Sequence, residues 1–387
     1  MGPLSGFRII EIAGIGPGPF CAMMLADQGA EVIRVDRAKG GLGGVPGNPK
    51  KDILNRGRKS IAVDLKSPEG VELVLKLIES ADGLVEGFRP GVMERLGLGP
   101  EVCLKRNPKL VYGRMTGWGQ DGPWASMAGH DIDYIALSGA LHSFGRAGDK
   151  PVPPINLVGD FGGGGMFMAY GMLCGLLSVS RGGEGQIVDA AMVDGSAVLM
   201  TMMYALKAMG VWRDKRGTNL LDTGAHFYEV YETRDAKHLA IGAIEPQFYQ
   251  VLMKKTGLIG DADFQNYMNP KAWPVLKTRL AEVIRQKNRS EWEEIFAGTD
   301  GCVAPVLSME EAPEHPHNKA RNTFVEIDGV VQPAPAPRFS KTPNDVPEPP
   351  SQPGENSVEI LKSWGFEDKD IQHMINMGTV VQNGEGG

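Results

Sequence analysis

Short apolar runs punctuated by glycine alternate with stretches of helical spacing over the first 120 residues. Residues 7–13 (Phe-Arg-Ile-Ile-Glu-Ile-Ala) predict a buried strand, 14–19 a tight glycine-proline loop, 20–29 a helix and 31–36 a second strand. Residues 59–65 and 110–115 again have strand character, with the helical stretch 69–80 between them. Strands alternating with helices predict an α/β fold on a large parallel sheet.

The pattern changes from Ala225 to about Pro316. Residues 238–243 alternate as a strand does, and 247–256, 273–286 and 290–296 carry amphipathic helical spacing, so we read a second, smaller α+β domain. Eight prolines between 333 and 353 exclude helix and central strand and predict an extended surface segment. A helix at 355–361, a turn at Gly365, another short helix and a loose tail follow. The domain reading is therefore a large α/β domain over 1–190, a connecting helix over 191–224, the small domain over 225–320, and a return segment with C-terminal helices over 321–387 that packs on the large domain.

Composition narrows the partners. The chain has 387 residues, 42% hydrophobic and 22% charged, with net charge -7. That is an ordinary globular composition with no electrostatic ground for nucleic acid, so an anionic ligand needs a local basic patch. Cys21, Cys103, Cys174 and Cys302 lie far apart without metal-ligand spacing. No metal site and a reducing, cytoplasmic compartment are expected. No signal peptide is read at 1–6 and no peroxisomal or prenyl signal at 383–387. Residues 161–180 are uncharged and long enough to cross a bilayer, yet six glycines and the preceding Asp160 predict a buried core helix instead of a membrane span.

The opening strand-loop-helix-strand, ending in Asp36, imitates a dinucleotide fingerprint. Its spacing fails: counted from Gly14 the third glycine is Pro19, and counted from Gly16 it is Cys21. Pro17 and Pro19 also remove two N–H donors that a pyrophosphate would use.

Three segments place an acid or base in unusually bare backbone: Gly129-His130-Asp131, Gly159-Asp160 before Gly162-Gly163-Gly164-Gly165, and Ile244-Glu245-Pro246. Each has an ordinary structural reading, as a satisfied histidine or a helix cap. Capping does not explain four consecutive glycines, each costing a helix about 1 kcal/mol against alanine. We read them as room for a bulky ligand against backbone N–H groups, near the charge of a developing enolate. Arg56, Arg58 and Lys59 form a basic cluster that is either a solvated loop face or a phosphate site. Met192, Met200, Met202, Met203 and Met209 mark core or subunit interface, or else an adaptable surface for acyl chains.

Together with Gly16-Pro17-Gly18-Pro19-Phe20, Val35-Asp36-Arg37, Phe88-Arg89-Pro90-Gly91-Val92-Met93 and Gly242-Ala243-Ile244-Glu245-Pro246-Gln247, these segments resemble the α-methylacyl-CoA racemases of the class III CoA-transferase (CaiB/BaiF) superfamily over nearly the whole chain. The resemblance implies a Rossmann-like large domain, an interlocked homodimer and a 2-methylacyl-CoA substrate, with no cofactor beyond the substrate's own CoA. It assigns His130 and Asp160 as proton carriers on opposite faces of the α-carbon, and Glu245 as the acid that orients His130. It further implies that Arg37 meets the CoA phosphates with Arg89 nearby; Lys59, from the basic cluster read independently of the resemblance, is placed with them. Ala62, Val63, Asp64 and Leu65 would line the adenosine pocket, and Gly129, Asp131 and Tyr134 the thioester end. The superfamily's transferases use the aspartate at the position of Asp160 as a nucleophile. A second proton carrier, His130, has no task in that reaction and favours racemisation.

Overall fold

The computed structural model describes residues 2–39 and 47–383. The chain folds as two compact units. One takes the stretch up to Ser138, Ile155–Leu199 and the chain from His317 onward; the other takes Gly139–Pro154 and Met200–Pro316. The second unit thus includes an early excursion, 139–154, from within the stretch read as the large domain.

The first unit is built on six strands, β1 (Arg8–Ile12), β2 (Glu31–Arg37), β3 (Lys59–Val63), β4 (Gly83–Glu86), β5 (Val111–Thr116) and β6 (Gln186–Ala191). They lie in the order β3-β2-β1-β4-β5-β6, and every neighbouring pair is parallel. Val380–Val381, read from sequence as loose tail, adds a seventh strand antiparallel to β3. The period of two along each strand divides the apolar residues between two cores. Ile10, Ile33, Leu84 and Tyr112 face one, and Ile9, Val32, Val85 and Val111 the other.

Each core is closed by helices. Five helices bear on the site or its support: α1 (Pro17–Asp27), α2 (Pro68–Ile78), α3 (Asp131–Leu137), α4 (Phe167–Ser180) and α5 (Met192–Leu199). Leu73, Leu77 and Ile78 of α2 cover the first core, joined by Ile360 and Leu361 of the C-terminal helix Ser357–Ser363. Helix α2 starts where the pattern places it, because the Ser67 hydroxyl accepts the Gly70 N–H and Pro68 takes the first helical position. Cys21 and Leu25 of α1, with Met168, Met172 and Leu176 of α4, cover the second core. Helix α4 is not buried all round: Tyr170, Leu173 and Leu177 are exposed on its far side.

Asp160 does not cap α4. Leu157–Met166 is wound as a π-helix that runs directly into it, with Phe161 N–H bonded to Asn156 O five residues back. Such widened turns recur at functional sites. Its glycines are explained by contact with protein, not by room for a ligand. A Cβ on Gly163 would sit 2.6 Å from Ser196 N of α5, and one on Gly165 would sit 2.8 Å from Pro17 O of α1. The contact is mutual, since a Cβ on Gly195 would lie 1.8 Å from Gly163 O.

The second unit holds an antiparallel sheet of β7 (Tyr228–Glu232), β8 (His238–Gly242) and β9 (Val303–Pro305), packed with α6 (Pro246–Thr256), α7 (Trp273–Ile284) and α8 (Arg289–Phe296). Phe227, Leu239, Leu252, Trp273 and Trp292 fill its core. His226 is fully buried there against the Tyr249 hydroxyl at 2.9 Å, and burial drives its imidazole down to about 3. It is a neutral packing group.

Gly195→Ala will lower the thermal unfolding midpoint by several degrees, since overpacking of a closed contact costs about 1–3 kcal/mol. Gly18→Ala, whose added Cβ meets nothing within 4 Å, serves as the control and will melt close to wild type. Equal melting of the two variants would contradict the backbone-to-backbone contact.

Candidate active site

Strands β1 and β4 lie side by side, and the connections from them run to opposite sides of the sheet's order: β2 and β3 on one side, β5 and β6 on the other. Ligands of doubly wound sheets sit in the crevice beyond the strand ends at this switch point. A cleft of ≈1330 Å³ opens there. The loop after β1 (Ala13, Gly14, Ile15, Gly16) and the loop after β4 (Gly87, Phe88, Arg89, Pro90) form its middle. Arg37 ends β2 and Asp64, Leu65 and Lys66 follow β3 at one side, while Thr116 ends β5 and Gly117 and Trp118 follow it at the other.

His130 and Asp160 both reach this cleft, from different stretches of chain. His130 is the residue before α3, and its N–H donates to the Asp133 carboxylate at 3.0 Å. Asp160 is held by its π-wound backbone. Its N–H donates to Asp131 Oδ1 at 2.7 Å, and its Oδ2 accepts the Asn156 amide at 2.6 Å. Burial raises the proton affinity of Asp160, the Asn156 bond works against that, the Asp131 charge adds to it and His130 opposes it. Tyr134 closes the wall between them. Its ring sits where a Cβ on Gly117 or Gly129 would be, and its hydroxyl donates to Gly129 O. Burial, then the Asp160 charge, push the Tyr134 phenol up to about 12, so it stays protonated at neutral pH.

Several residues assigned from sequence line the cleft: Arg37, Val63, Asp64, Leu65, Arg89, Gly129 and Tyr134. Others do not. Lys59 begins β3, at the opposite end of the strand from the cleft, and is exposed in an ion pair with Glu359 at 2.6 Å. Ala62 is buried in the sheet. Asp131 is 3% exposed and turned into the protein beneath Asp160 instead of into the cleft wall. The two arginines of the basic cluster face inward. Arg56 bonds Asp27 at 2.6 Å and Arg58 bonds Glu11 at 2.5 Å, all four buried. Glu245 belongs to the second unit, exposed, as the residue before α6.

The cations facing the cleft are others that the spacing did not flag: Lys39, Lys51 and Lys66 beside Arg37 and Arg89. Arg34 also borders it, buried, bonded to Asp36 at 2.7 Å, while Ser60 donates to the same carboxylate oxygen at 2.6 Å. Asp36 is thus occupied holding the sheet edge together. Beneath Arg89, Glu86 accepts the Phe88 N–H at 2.7 Å and pairs with Arg114. Burial raises Glu86 to about 7 despite both partners. Of the methionines read as core or acyl surface, Met192 lines the cleft, while Met202 and Met209 are exposed in the second unit. Among the described residues no group of three His, Cys, Asp or Glu is placed to hold a metal.

A row of cations at one side, with the half-buried Asp160 and the exposed His130 at the other, suits a phosphate-bearing thioester whose α-carbon exchanges a proton. The chain is 46% identical over 372 residues to the α-methylacyl-CoA racemase of Mus musculus, covering 95% of each chain. It is 43% identical over 385 residues to that of Homo sapiens, covering 98% of each. A CaiB/BaiF family protein from Brucella suis of known structure superposes with a TM-score of 0.81 at 25% identity, over 94% of this chain and 99% of that one. The model of CoA-transferase family III matches residues 4–357, and the chain belongs to that family.

Proposed function

We propose that the protein is an α-methylacyl-CoA racemase, in which His130 and Asp160 are the two proton carriers. The observation that carries this reading is their convergence on one cleft from separate chain segments, opposite the cations of β2 and β3. CoA phosphates would lie along Arg37, Lys39, Lys51, Lys66 and Arg89, and the thioester would reach past Tyr134 to His130 and Asp160.

The reaction needs two groups. One, unprotonated, takes the α-proton; the C–H electron pair moves into the Cα–C bond and leaves the charge on the thioester oxygen. The other, protonated, delivers its proton to the opposite face, and the centre is inverted. A single base would mostly return the proton to the face it came from. A carboxylate is ordinarily too weak a base, and its acid too readily ionised, for this exchange. Burial of Asp160 moves its proton affinity toward the working range.

We further propose a homodimer. Tyr170, Leu173 and Leu177, at helical spacing on one side of α4, expose apolar surface on the first unit. An exposed apolar stripe of this kind is the mark of an association surface. Sedimentation will give twice the chain mass for the wild type, and Leu177→Asp will shift it toward the monomer.

Incubating one enantiomer of a 2-methylacyl-CoA in deuterium oxide will incorporate α-deuterium and lose chirality together. Asp160→Asn and His130→Ala will each slow racemisation about 10²–10⁴-fold, the range of a lost general acid or base. No α-exchange, with CoA instead passing to an added carboxylate, would assign Asp160 as a nucleophile and overturn the reading.

The raised proton affinity of Asp160 also sets a sign for stability. Its folded pKa lies above its unfolded value, so its contribution is fully present below the unfolded pKa and lost as pH rises through the folded one. Asp160→Asn will therefore melt above wild type at pH 7–8, and the gap will close as the pH falls through the carboxylate range. Lower melting of the variant at neutral pH would contradict this.

A further inference from the structure

Asp131 is buried to 3% exposure, yet it is a carboxylate with one oxygen bonded and one not. Oδ1 accepts the Asp160 N–H at 2.7 Å, and Oδ2 is buried without a partner. Satisfying that one N–H does not require a charge; a serine or asparagine oxygen would serve. An ionisable group kept in protein with half its hydrogen-bonding capacity unmet asks for a reason other than stability. Its surroundings are kept clear for it. A Cβ on Gly159 would fall 2.4 Å from Oδ1, so Gly159 leaves the space that the carboxylate fills. Two acids in the first turn of α3 divide the work. Asp133 holds the backbone of His130, and Asp131 holds the backbone of Asp160, 29 residues away in the chain.

We propose, resting on the racemase reading, that Asp131 is a positioning residue that ties Asp160 to helix α3, whose first residue follows His130, and sets a second negative charge beside the Asp160 carboxylate. The charged and titratable groups facing Asp160 are Asp131 and Tyr134 of α3 and His130 before it, with the Asn156 amide from its own segment. The loop after β1 brings Gly16, whose Cβ would lie 3.6 Å from Asp160 Oδ2, and so adds no charge there. The Asp131 charge works in the same direction as burial, favouring the protonated acid. Asp131 is not among the residues that line the cleft.

The variant that separates these roles is Asp131→Asn, which keeps an oxygen for the Asp160 N–H and removes the charge. Racemisation kcat will fall about 10-fold or more with KM within about 3-fold of wild type. The limb of the pH profile governed by Asp160 will move to lower pH by about half a unit or more. An unchanged kcat and limb would overturn the proposal. So would a raised KM at constant kcat, which would make Asp131 a substrate contact. Should Asp131→Asn fail to fold, Gly159→Ala presses on the same contact from the other side. It too will lower kcat and spare KM, and wild-type kinetics for it would overturn the proposal. Wild-type enzyme is assayed alongside: if it does not racemise, the reaction itself has been misread, a failure visible without any variant.

Discussion

The active end of the cleft depends on one steric constraint: the glycine backbone of the π-wound turn packs directly against its neighbours, with no side chain of its own between them. Gly163, Gly164 and Gly165 of the π-wound turn meet Ser196 and Met192 of α5 and Pro17 and Phe20 of α1. The N-terminal loop that precedes α1 is also the cleft's middle wall, so a single packing event brings Gly16 against Asp160. The glycines cost the helix stability, about 1 kcal/mol each. They fix where the Asp160 carboxylate stands, and a widened turn aims it. Side-chain volume at any of these positions would move the acid.

Electrostatics follows from that placement. The chain is acidic overall, and its buried charges are mostly paired: Arg58 with Glu11, Arg56 with Asp27, Arg34 with Asp36. These pairs lock strand ends and loops beneath the cleft, where breaking one partner would leave an uncompensated buried charge. The cations left to meet a ligand are those on the loops themselves. At the opposite side, no cationic side chain among the described residues is bonded to Asp160; its carboxylate accepts the Asn156 amide, and its N–H donates to the Asp131 carboxylate. That contrast separates a region that binds anions from one that can hold a proton.

Much of this was legible in the sequence, and the misses have physical causes. Short apolar runs gave β1, β2, β3 and β5 within a residue or two, because each strand is buried on both faces and bounded by glycine or charge; the four-residue β4 was too short to be read. The edge strand β6 escaped because Gln186, Ile187 and Asp189 face outward and leave no apolar run. His130 and Asp160 were found through family motifs and do share a cleft; local spacing alone could not bring together residues of two distant segments. Lys59 was misplaced because spacing does not say which end of a strand faces the ligand. Arg56 and Arg58 look like a phosphate patch in a linear reading, since their partners Asp27 and Glu11 lie 29 and 47 residues away. The glycine run was read as space for a ligand because sequence shows that a side chain is missing, not what occupies its place.

The central claim is that two different groups exchange the proton, each from its own face. It is tested most directly by α-deuterium exchange in the single variants, measured separately on each enantiomer. With His130→Ala, Asp160 remains, so one enantiomer will exchange its α-proton with solvent while keeping its configuration. With Asp160→Asn, the other enantiomer alone will do so. Exchange of the same enantiomer in both variants, or of both enantiomers in either one, would contradict the two-carrier account.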